Sequence, residues 1–415
     1  MATVLLMGSL DTRSRETLYA KKMIEQKGCK VILMDISMGG YTECGADYTC
    51  IDVAKEAGIP FEQISGRKGT ADNMNLMVKG AVQITRRLCD KGAIDGIAGL
   101  GGASNTTAFS RIMRTLTFGF PKLILSSSAA MPAYAGAYYG YKDIAILHAC
   151  LDLNGLNKFV KDVIRRFAGM VVGMVGVEKM ELRAGNRDVA ISEFQFVEAC
   201  ARKVIKVLET KNVQVIPFHA QGVGDRIMDE MIGDGLFRGA LDLVPAGLSE
   251  AILGGNRDAG MERLDKEMAS GIPVILTPSG FDLFSCGPYA RRFSDPLWKK
   301  KRIEKRKLYV QDELRVQART SKQEMEIIGK AFSEKLNKAK GKVAVFVPLR
   351  GFSSLSVEGG PLHDPESDKA LVGSLRKQLN RRVVDLVEMD CAYNDDPFAQ
   401  AIADRFMAML KSEGV

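Results

Sequence analysis

Four short segments of this sequence combine glycine with small polar side chains, a composition typical of loops that bind anions. They read GSLDTR (8–13), DISMGG (35–40), GLGGASNTT (99–107) and SSSAAM (126–131). Glycine lets backbone amides approach a ligand closely. The free amides at the start of a following helix attract phosphate or carboxylate. The four segments therefore predict a site for an anionic ligand.

Several side chains in these segments could add specific contacts to such a site. Thr12 and Arg13 supply a hydroxyl and a fixed cation, while Ser104 and Asn105 can cap a helix or donate to an anion. Asp35 ends a predicted strand, where doubly wound nucleotide sites often place the acid that binds ribose. Neither GxGxxG nor GxxxxGK[ST] occurs, so a standard dinucleotide loop and a P-loop are not predicted.

A second set of polar residues follows predicted strands in the other half of the chain. His219 and Asp225 come after VIPF, and Arg350 opens a long segment, predicted to be structureless, that also holds His363. Histidine transfers protons near neutral pH, and arginine binds a carboxylate or phosphate through two parallel hydrogen bonds. These four residues are candidate catalytic groups, with His219 as the base and Arg350 as the anion clamp.

The elements that must position these residues are short apolar runs alternating with helical patterns, which predict parallel sheets covered by helices. The length of 415 residues exceeds what one core usually serves. We predict an α/β fold of two Rossmann-like doubly wound domains, residues 1–180 and 188–415, with a cleft between them and a linker at 181–188. Ligands of such sheets bind beyond the carboxyl ends of the strands, where both polar sets lie.

The composition narrows the class of protein further. The formal net charge of +8 suits small anionic ligands, but no basic face interleaves with aromatic residues, so no nucleic acid partner is expected. The eight cysteines form no CxxC and no metal-binding spacing with the three histidines, which indicates a reduced, cytoplasmic protein. No apolar run approaches the roughly 20 residues of a membrane helix, so no membrane partner is expected.

The order of motifs along the chain resembles one family. GSLDTR, GLGGASNTT, LDLNGLN, FHAQGVGDRIMDEMI, PVILTPSGFDLFSCGP and VFVPLRGFSSL follow one another as in the Tm-one-like ATP-binding proteins. The resemblance covers essentially the whole chain. It implies two Rossmann-like domains, ATP bound with magnesium in the N-terminal domain, and a homodimer.

Matching positions also imply which residues the nucleotide meets, in three loops that the residue types already indicate as anion sites. Asp11 is the candidate for reaching the magnesium, directly or through water. With Asp35 and Asn105 added from the residue types, the predicted nucleotide contacts are Gly8, Ser9, Asp11, Thr12, Arg13, Asp35, Gly101, Gly102, Ala103, Ser104, Asn105, Ser126, Ser127 and Ser128.

Three functions stay open at this point. The first is a nucleotide-binding protein that also holds an anionic small metabolite, with ATP as cosubstrate or effector. The second is a nucleotide-independent lyase or hydrolase of a small carboxylate. The third is a regulatory binding module without turnover.

Overall fold

The computed structural model describes residues 1–65, 71–178, 180 and 188–412. The chain divides into two compact units, Met1–Glu181 and Leu182–Val415, and each contains a parallel sheet. The predicted linker at 181–188 lies outside the described residues apart from its last position.

The first unit is built on a five-stranded parallel sheet in the order β2-β1-β3-β4-β5. This is a doubly wound order, and it reverses direction between β1 and β3. The strands are β1 (Thr3–Gly8), β2 (Lys30–Asp35), β3 (Gly96–Gly101), β4 (Lys122–Ser126) and β5 (Ala145–His148).

Helices cover both faces of this sheet, because successive side chains of a strand point to opposite sides. Val4 and Leu6 of β1 pack with α1 and α6, whereas Leu5 and Met7 pack with α2, α3 and α4 on the other face. The helices are α1 (Leu10–Glu25), α2 (Cys50–Glu56), α3 (Ala71–Asp90), α4 (Ala103–Met113), α5 (Pro132–Tyr139) and α6 (Lys158–Val175).

The second unit repeats this design and adds a small antiparallel sheet. Its six-stranded parallel sheet has the order β14-β13-β9-β8-β6-β7, and the three-stranded sheet has the order β10-β12-β11. The strands are β6 (Asp188–Glu193), β7 (Gln214–His219), β8 (Gly239–Asp242), β9 (Val274–Leu276), β10 (Leu283–Ser285), β11 (Leu308–Val310), β12 (Val316–Arg319), β13 (Val343–Pro348) and β14 (Val384–Met389).

Two of the helices, α7 and α14, pack together against one face of the larger sheet. On the other side, α12 contacts α9, α10 and α13, while α8 packs against α10. The helices are α7 (Glu198–Glu209), α8 (Val223–Gly233), α9 (Ala246–Leu253), α10 (Asp265–Ala269), α11 (Pro296–Lys301), α12 (Lys322–Leu336), α13 (Pro365–Gln378) and α14 (Asp396–Ser412).

The predicted α/β class with two doubly wound parallel sheets is confirmed. The segment after Arg350, predicted to be structureless, is instead packed into the second unit, and Phe352, Ser353 and Leu362 within it are fully buried. It ends at Asp364, whose side chain caps α13. Of the helices in the described ranges, none has the length and apolar character that crossing a membrane requires.

Candidate functional site

The start of α1 is held by side chains from the loop after β2. Ser9 precedes the helix; the Leu10 amide donates to Asp35 Oδ1 at 3.0 Å, and the Asp11 amide donates to Ser37 Oγ at 3.0 Å. Ser37 in turn donates to Asp35 Oδ1 through its amide at 2.9 Å and its hydroxyl at 2.5 Å. An internal carboxylate thus occupies the place where a helix N-terminus would bind an external anion.

The two acids at this helix start differ in their surroundings. Asp35 is 1% exposed, and burial raises the pKa of its carboxyl. Asp11 Oδ2 accepts from the Gly39 amide at 3.0 Å, whereas Asp11 Oδ1, like Asp35 Oδ2, is buried with no hydrogen-bond partner in the described ranges. A carboxylate oxygen left without a donor is suited to a cation or an ordered water. The ribose-binding role of Asp35 stays a prediction, since its observed contacts are to the protein itself.

Thr12 and Arg13 complete this first loop. Thr12 is exposed, and Arg13 interrupts the helix with φ of −135° and ψ of 29°. The Arg13 guanidinium lies 3.2 Å from the Asp152 carboxylate, whose side chain is 66% exposed. Ion pairs in contact with water add little stability. Arg13 is therefore a cation at the sheet edge that a ligand anion could recruit at small cost.

The start of α4 contrasts with that of α1. The helix follows β3 directly, Gly102 is its extended N-cap residue, and no side chain of the described residues caps it. Ala103, Ser104 and Asn105 form the first turn, whose amides have no partner within the helix. Gly102 and these three residues are partly or fully accessible. This helix start is therefore suited to receive an oxyanion.

Two glycines at these strand ends allow close packing of the helix that follows. A Cβ on Gly101 would lie 2.5 Å from Cβ of Asn105, and a Cβ on Gly8 would lie 2.6 Å from Oγ1 of Thr17. The hydroxyl of Ser9 donates to Asn105 Oδ1 at 2.9 Å, which joins the loops after β1 and β3. A direct contact of Gly8 or Gly101 with a ligand stays a prediction.

Of the three consecutive serines at the end of β4, Ser126 and Ser128 are buried and Ser127 is partly exposed. The hydroxyls of Ser126 and Thr106 lie 2.7 Å apart, and those of Ser128 and Tyr138 lie 3.2 Å apart, all in buried surroundings. Ser127 is partly exposed, and its Oγ would lie 3.7 Å from a Cβ built on the N-cap glycine of α4. Ser127 is thus the serine that stands beside the α4 start.

In the second unit, the strand order separates two of the predicted catalytic residues. His219 ends β7 and Arg350 follows β13, and these strands are four positions apart, which corresponds to about 19 Å. His363 is half-buried, with Nδ1 3.0 Å from the Ser356 carbonyl oxygen. This order separates the two residues, and the roles of His219 as base and Arg350 as clamp stay a prediction.

Arg350 has a protein partner at the surface. Its Nε and one terminal nitrogen donate to the two carboxylate oxygens of Asp390 at 2.8 and 2.7 Å, and both side chains are largely exposed. These hydrogen bonds raise the pKa of Arg350 and lower that of Asp390. The bidentate geometry predicted for a ligand is thus made with a neighbouring side chain.

Asp225, the fourth predicted catalytic residue, belongs to a buried charge cluster that sequence reasoning missed. Arg263 is fully buried and lies 3.6 Å from Asp225, 3.9 Å from Asp229, 2.5 Å from Asp242 and 3.4 Å from Glu267, all of them fully buried. Burial raises the pKa of Asp225, Asp229 and Glu267. In the described ranges no group of three or more His, Cys, Asp and Glu residues is placed to hold a metal ion by itself.

The carboxyl edge of the second sheet is closed by protein groups at the ends of β8 and β9. Residues 239–250 and 273–287, which include the ends of β8 and β9, are buried throughout. The Glu250 carboxylate accepts from Arg257 Nε at 2.8 Å and from the Ser285 amide at 2.9 Å, which attaches the small antiparallel sheet to α9. No motif of the kind that indicates a binding site, such as a glycine loop or a cysteine spacing, could have predicted that these strand ends are covered.

Comparison with known proteins assigns a family. Residues 2–180 match "Uncharacterised protein family (UPF0261) N-terminal domain" and residues 186–410 match the C-terminal domain of the same family. A UPF0261 protein of Clostridium tetani is 31% identical over 98% of this chain and 99% of its own length. The tomato (Solanum lycopersicum) ToMV resistance protein Tm-1(GCR237) is 29% identical over 77% of this chain but only 42% of its own length. The resemblance predicted from the motifs is confirmed.

Solved structures add little to this assignment. The UDP-N-acetylglucosamine 2-epimerase from Rickettsia bellii is similar over 66% of this chain and 78% of its own, at 10% identity and a TM-score of 0.22. A likeness at that level supports no conclusion about ligand or activity.

Proposed function

The chain belongs to the UPF0261 family, and we propose that its first unit binds ATP with Mg²⁺ at the carboxyl edge of the five-stranded sheet. The observation that carries this proposal is the accessible start of α4 at Gly102–Asn105, which no described side chain caps. The amides of a first helical turn and the helix dipole favour phosphate. The Ser127 hydroxyl, 3.7 Å from a Cβ built on Gly102, would donate to it as well, and the exposed Ser104 adds a hydroxyl in the same helical turn.

The position of α4 in the sheet supports the same proposal. It follows β3, which neighbours β1 at the point where the strand order reverses, and doubly wound sheets bind their ligands at that point. Arg13 reaches the edge from the loop after β1 and would pair with a phosphate in place of Asp152.

The residues present fit a magnesium ion as the partner of the phosphates. Asp11 Oδ1 is a buried carboxylate oxygen without a hydrogen-bond partner in the described parts of the chain, as is Asp35 Oδ2 beside it, and Mg²⁺ takes one or two carboxylates besides phosphate and water. Asp11 would hold the ion directly or through water. Bound there, the ion would neutralise charge on the phosphates.

The proposal does not extend to a metabolite in the second unit. Glu250 and Thr277 at its sheet edge bond to other protein groups, and the strand order separates His219 from Arg350. The predicted homodimer stays a prediction, which analytical ultracentrifugation of the full chain tests.

The experiment that tests the proposal is titration calorimetry with Mg-ATP on wild type and Ser104→Asp. The new carboxylate would stand at the second position of α4, where it stabilises a helix by about 0.3–1 kcal/mol and repels phosphate. We expect binding by the wild type and its loss in a variant that is at least as stable. Gln323→Asp, the same position of α12, is the matched control and should bind as wild type does. Unchanged affinity in Ser104→Asp would contradict the proposal.

A further inference from the structure

We infer that Tyr134 of α5 is the platform on which the base of the nucleotide stacks. The inference rests on the proposed function of the first unit and extends the site from phosphates to the base. It predicts that the ligand is a nucleoside triphosphate and that a polyphosphate without a base makes only the contacts at the start of α4.

The placement of α5 puts its first turn at the carboxyl edge of the sheet. The helix follows β4 and packs beside α4, where the hydroxyl of Ser110 donates to the Tyr138 carbonyl. Tyr138 is 2% exposed, and its own hydroxyl lies 3.2 Å from that of Ser128 in the loop after β4. The side of α5 that carries Tyr138 is therefore the side turned towards the sheet and α4.

Tyr134 lies on that same side, one helical turn nearer the edge, because residues four apart are neighbours on a helix. The two ring centroids are 6.3 Å apart, with 58° between the ring planes. Tyr134 is 46% exposed, as most of α5 is exposed, whereas Tyr138 is buried. The first turn of α5 thus presents an accessible aromatic ring next to the buried ring of Tyr138.

A short series of contacts joins this ring to the phosphate position. Ser127 stands beside Gly102 at the α4 start, Ser128 follows it in the chain, and Tyr138 connects Ser128 to Tyr134. A ligand with its phosphates at Gly102 and its base over Tyr134 would lie along the loop after β4. The ribose would lie over Ser127 and Ser128.

Stacking on an aromatic ring tolerates any base, because every base has a π-face. The structure offers no set of donors and acceptors on α5 for reading base edges among the residues it describes: the helix sequence is PAYAGAYY. We therefore expect purine triphosphates to bind more tightly than pyrimidine triphosphates through stacking strength alone.

The test compares Mg-ATP with magnesium tripolyphosphate, which lacks the base, on wild type, Tyr134→Ala, Tyr134→Phe and Tyr139→Ala. Tyr139 is the matched control, since it is 44% exposed on the same helix but lies on another side. We expect Tyr134→Ala to weaken ATP binding roughly tenfold, within the range for loss of a stacking ring, and to leave tripolyphosphate binding unchanged. Tyr134→Phe and Tyr139→Ala should bind both ligands as wild type does.

Other outcomes overturn the inference. Equal weakening of both ligands by Tyr134→Ala would indicate a structural role for the ring, and thermal melts of each variant identify that case. Unchanged ATP affinity in Tyr134→Ala, or an equal loss in Tyr139→Ala, would place the base elsewhere. Failure of wild type to bind either ligand would instead contradict the proposed function, so the two failures are distinct.

Discussion

The two parallel sheets of this chain share a winding order but differ in how accessible the residues at their carboxyl edges are. At the first edge, Gly102–Asn105 and Ser127 are accessible, and Asp11 has an oxygen without a partner among the described residues. At the second edge, residues 239–250 and 273–287 are buried, and Asp242 and Thr277 hydrogen-bond within the protein, while the buried Ser279 hydroxyl has no partner among the described residues. The same topology thus leaves accessible groups at the edge in one unit and covers the ends of β8 and β9 in the other.

This difference shows that the position of a polar residue at a strand end does not by itself indicate function. Glu250 and Asp242 follow or end β8, as a ligand-binding acid would, yet each is fully buried against an arginine. Burying a charge is unfavourable unless it is paired. The acids of the second edge are therefore paired with arginine side chains of the protein. At the first edge, the amides at the start of α4 remain available to a group from outside the protein.

The largest expected effect comes from Arg263→Met, which removes the guanidinium that the four buried carboxylates contact. We expect the second unit to lose about 3–5 kcal/mol of unfolding free energy, because buried charges are left without a partner. Urea unfolding followed by fluorescence of Trp298, the single tryptophan of the chain, reports on this unit.

Arg405→Met is the control for Arg263→Met, since Arg405 pairs with Asp385 at the surface and its removal should change the urea midpoint little. A midpoint for Arg263→Met equal to that of wild type would show that the cluster does not hold the closed edge together.

The next largest effect is expected for Gly222→Ala, in the FHAQGVGD motif of the second edge. Gly222 has φ of +85°, and a Cβ there would lie 2.8 Å from the backbone of Arg257. We expect a loss of roughly 3 kcal/mol from left-handed strain plus steric overlap. Gly235→Ala, with φ of +76° and no described atom within 4 Å of the added Cβ, should lose only about 1 kcal/mol. Equal losses of unfolding free energy in Gly222→Ala and Gly235→Ala would show that close packing is not the reason for glycine at position 222.

A smaller effect concerns the pH dependence of the second unit. Burial raises the pKa of Asp225 in the folded state, so the folded chain keeps a proton that the unfolded chain releases above about pH 4. This contribution to stability is full below the unfolded pKa and is lost as the pH rises through the folded pKa. Asp225→Asn should therefore flatten the decline of unfolding free energy as the pH rises above about 4.

Asp390→Asn is the control for this pH series, because hydrogen bonds from Arg350 lower the pKa of Asp390 and it does not titrate in that range. A pH profile of Asp225→Asn parallel to that of wild type would show that Asp225 is ionised in the folded protein and that the cluster holds its protons elsewhere.

The smallest effect is expected for Arg350→Ala. The pair with Asp390 is exposed to water, so neither the urea midpoint nor the affinity for Mg-ATP should change measurably. A loss of ATP affinity in this variant would indicate that the second unit contributes to ATP binding. That result would contradict the contrast between the two edges.

Much of the fold could be predicted from the sequence, because each parallel strand is a short apolar run between helical patterns. VLLM in β1 and VAVFV in β13 illustrate the signal of strands that are buried on both faces. The small antiparallel sheet could not be predicted in this way, since β10, β11 and β12 have only three or four residues each. The sequence does not indicate the helix α5 either, because PAYAGAYY lacks the helical alternation of apolar and polar residues.

The candidate site was predictable in part. GLGGASNTT indicated the start of α4, and SSSAAM indicated Ser127. The sequence could not show that Asp35 already caps α1, because that contact depends on how the loops after β1 and β2 meet. It could not separate His219 from Arg350 either, since strand order in the sheet is not the order in the chain.

The measurement that tests the central claim most directly is a titration of Mg-ATP followed by amide chemical shifts of the labelled full chain. We predict that the largest shifts occur at the amides of Gly102, Ala103, Ser104 and Ser127, while those of Leu243 and Ser279 at the second edge stay unchanged. Shifts concentrated at Leu243 and Ser279, or no saturable shift at Gly102–Ser104, would contradict the account.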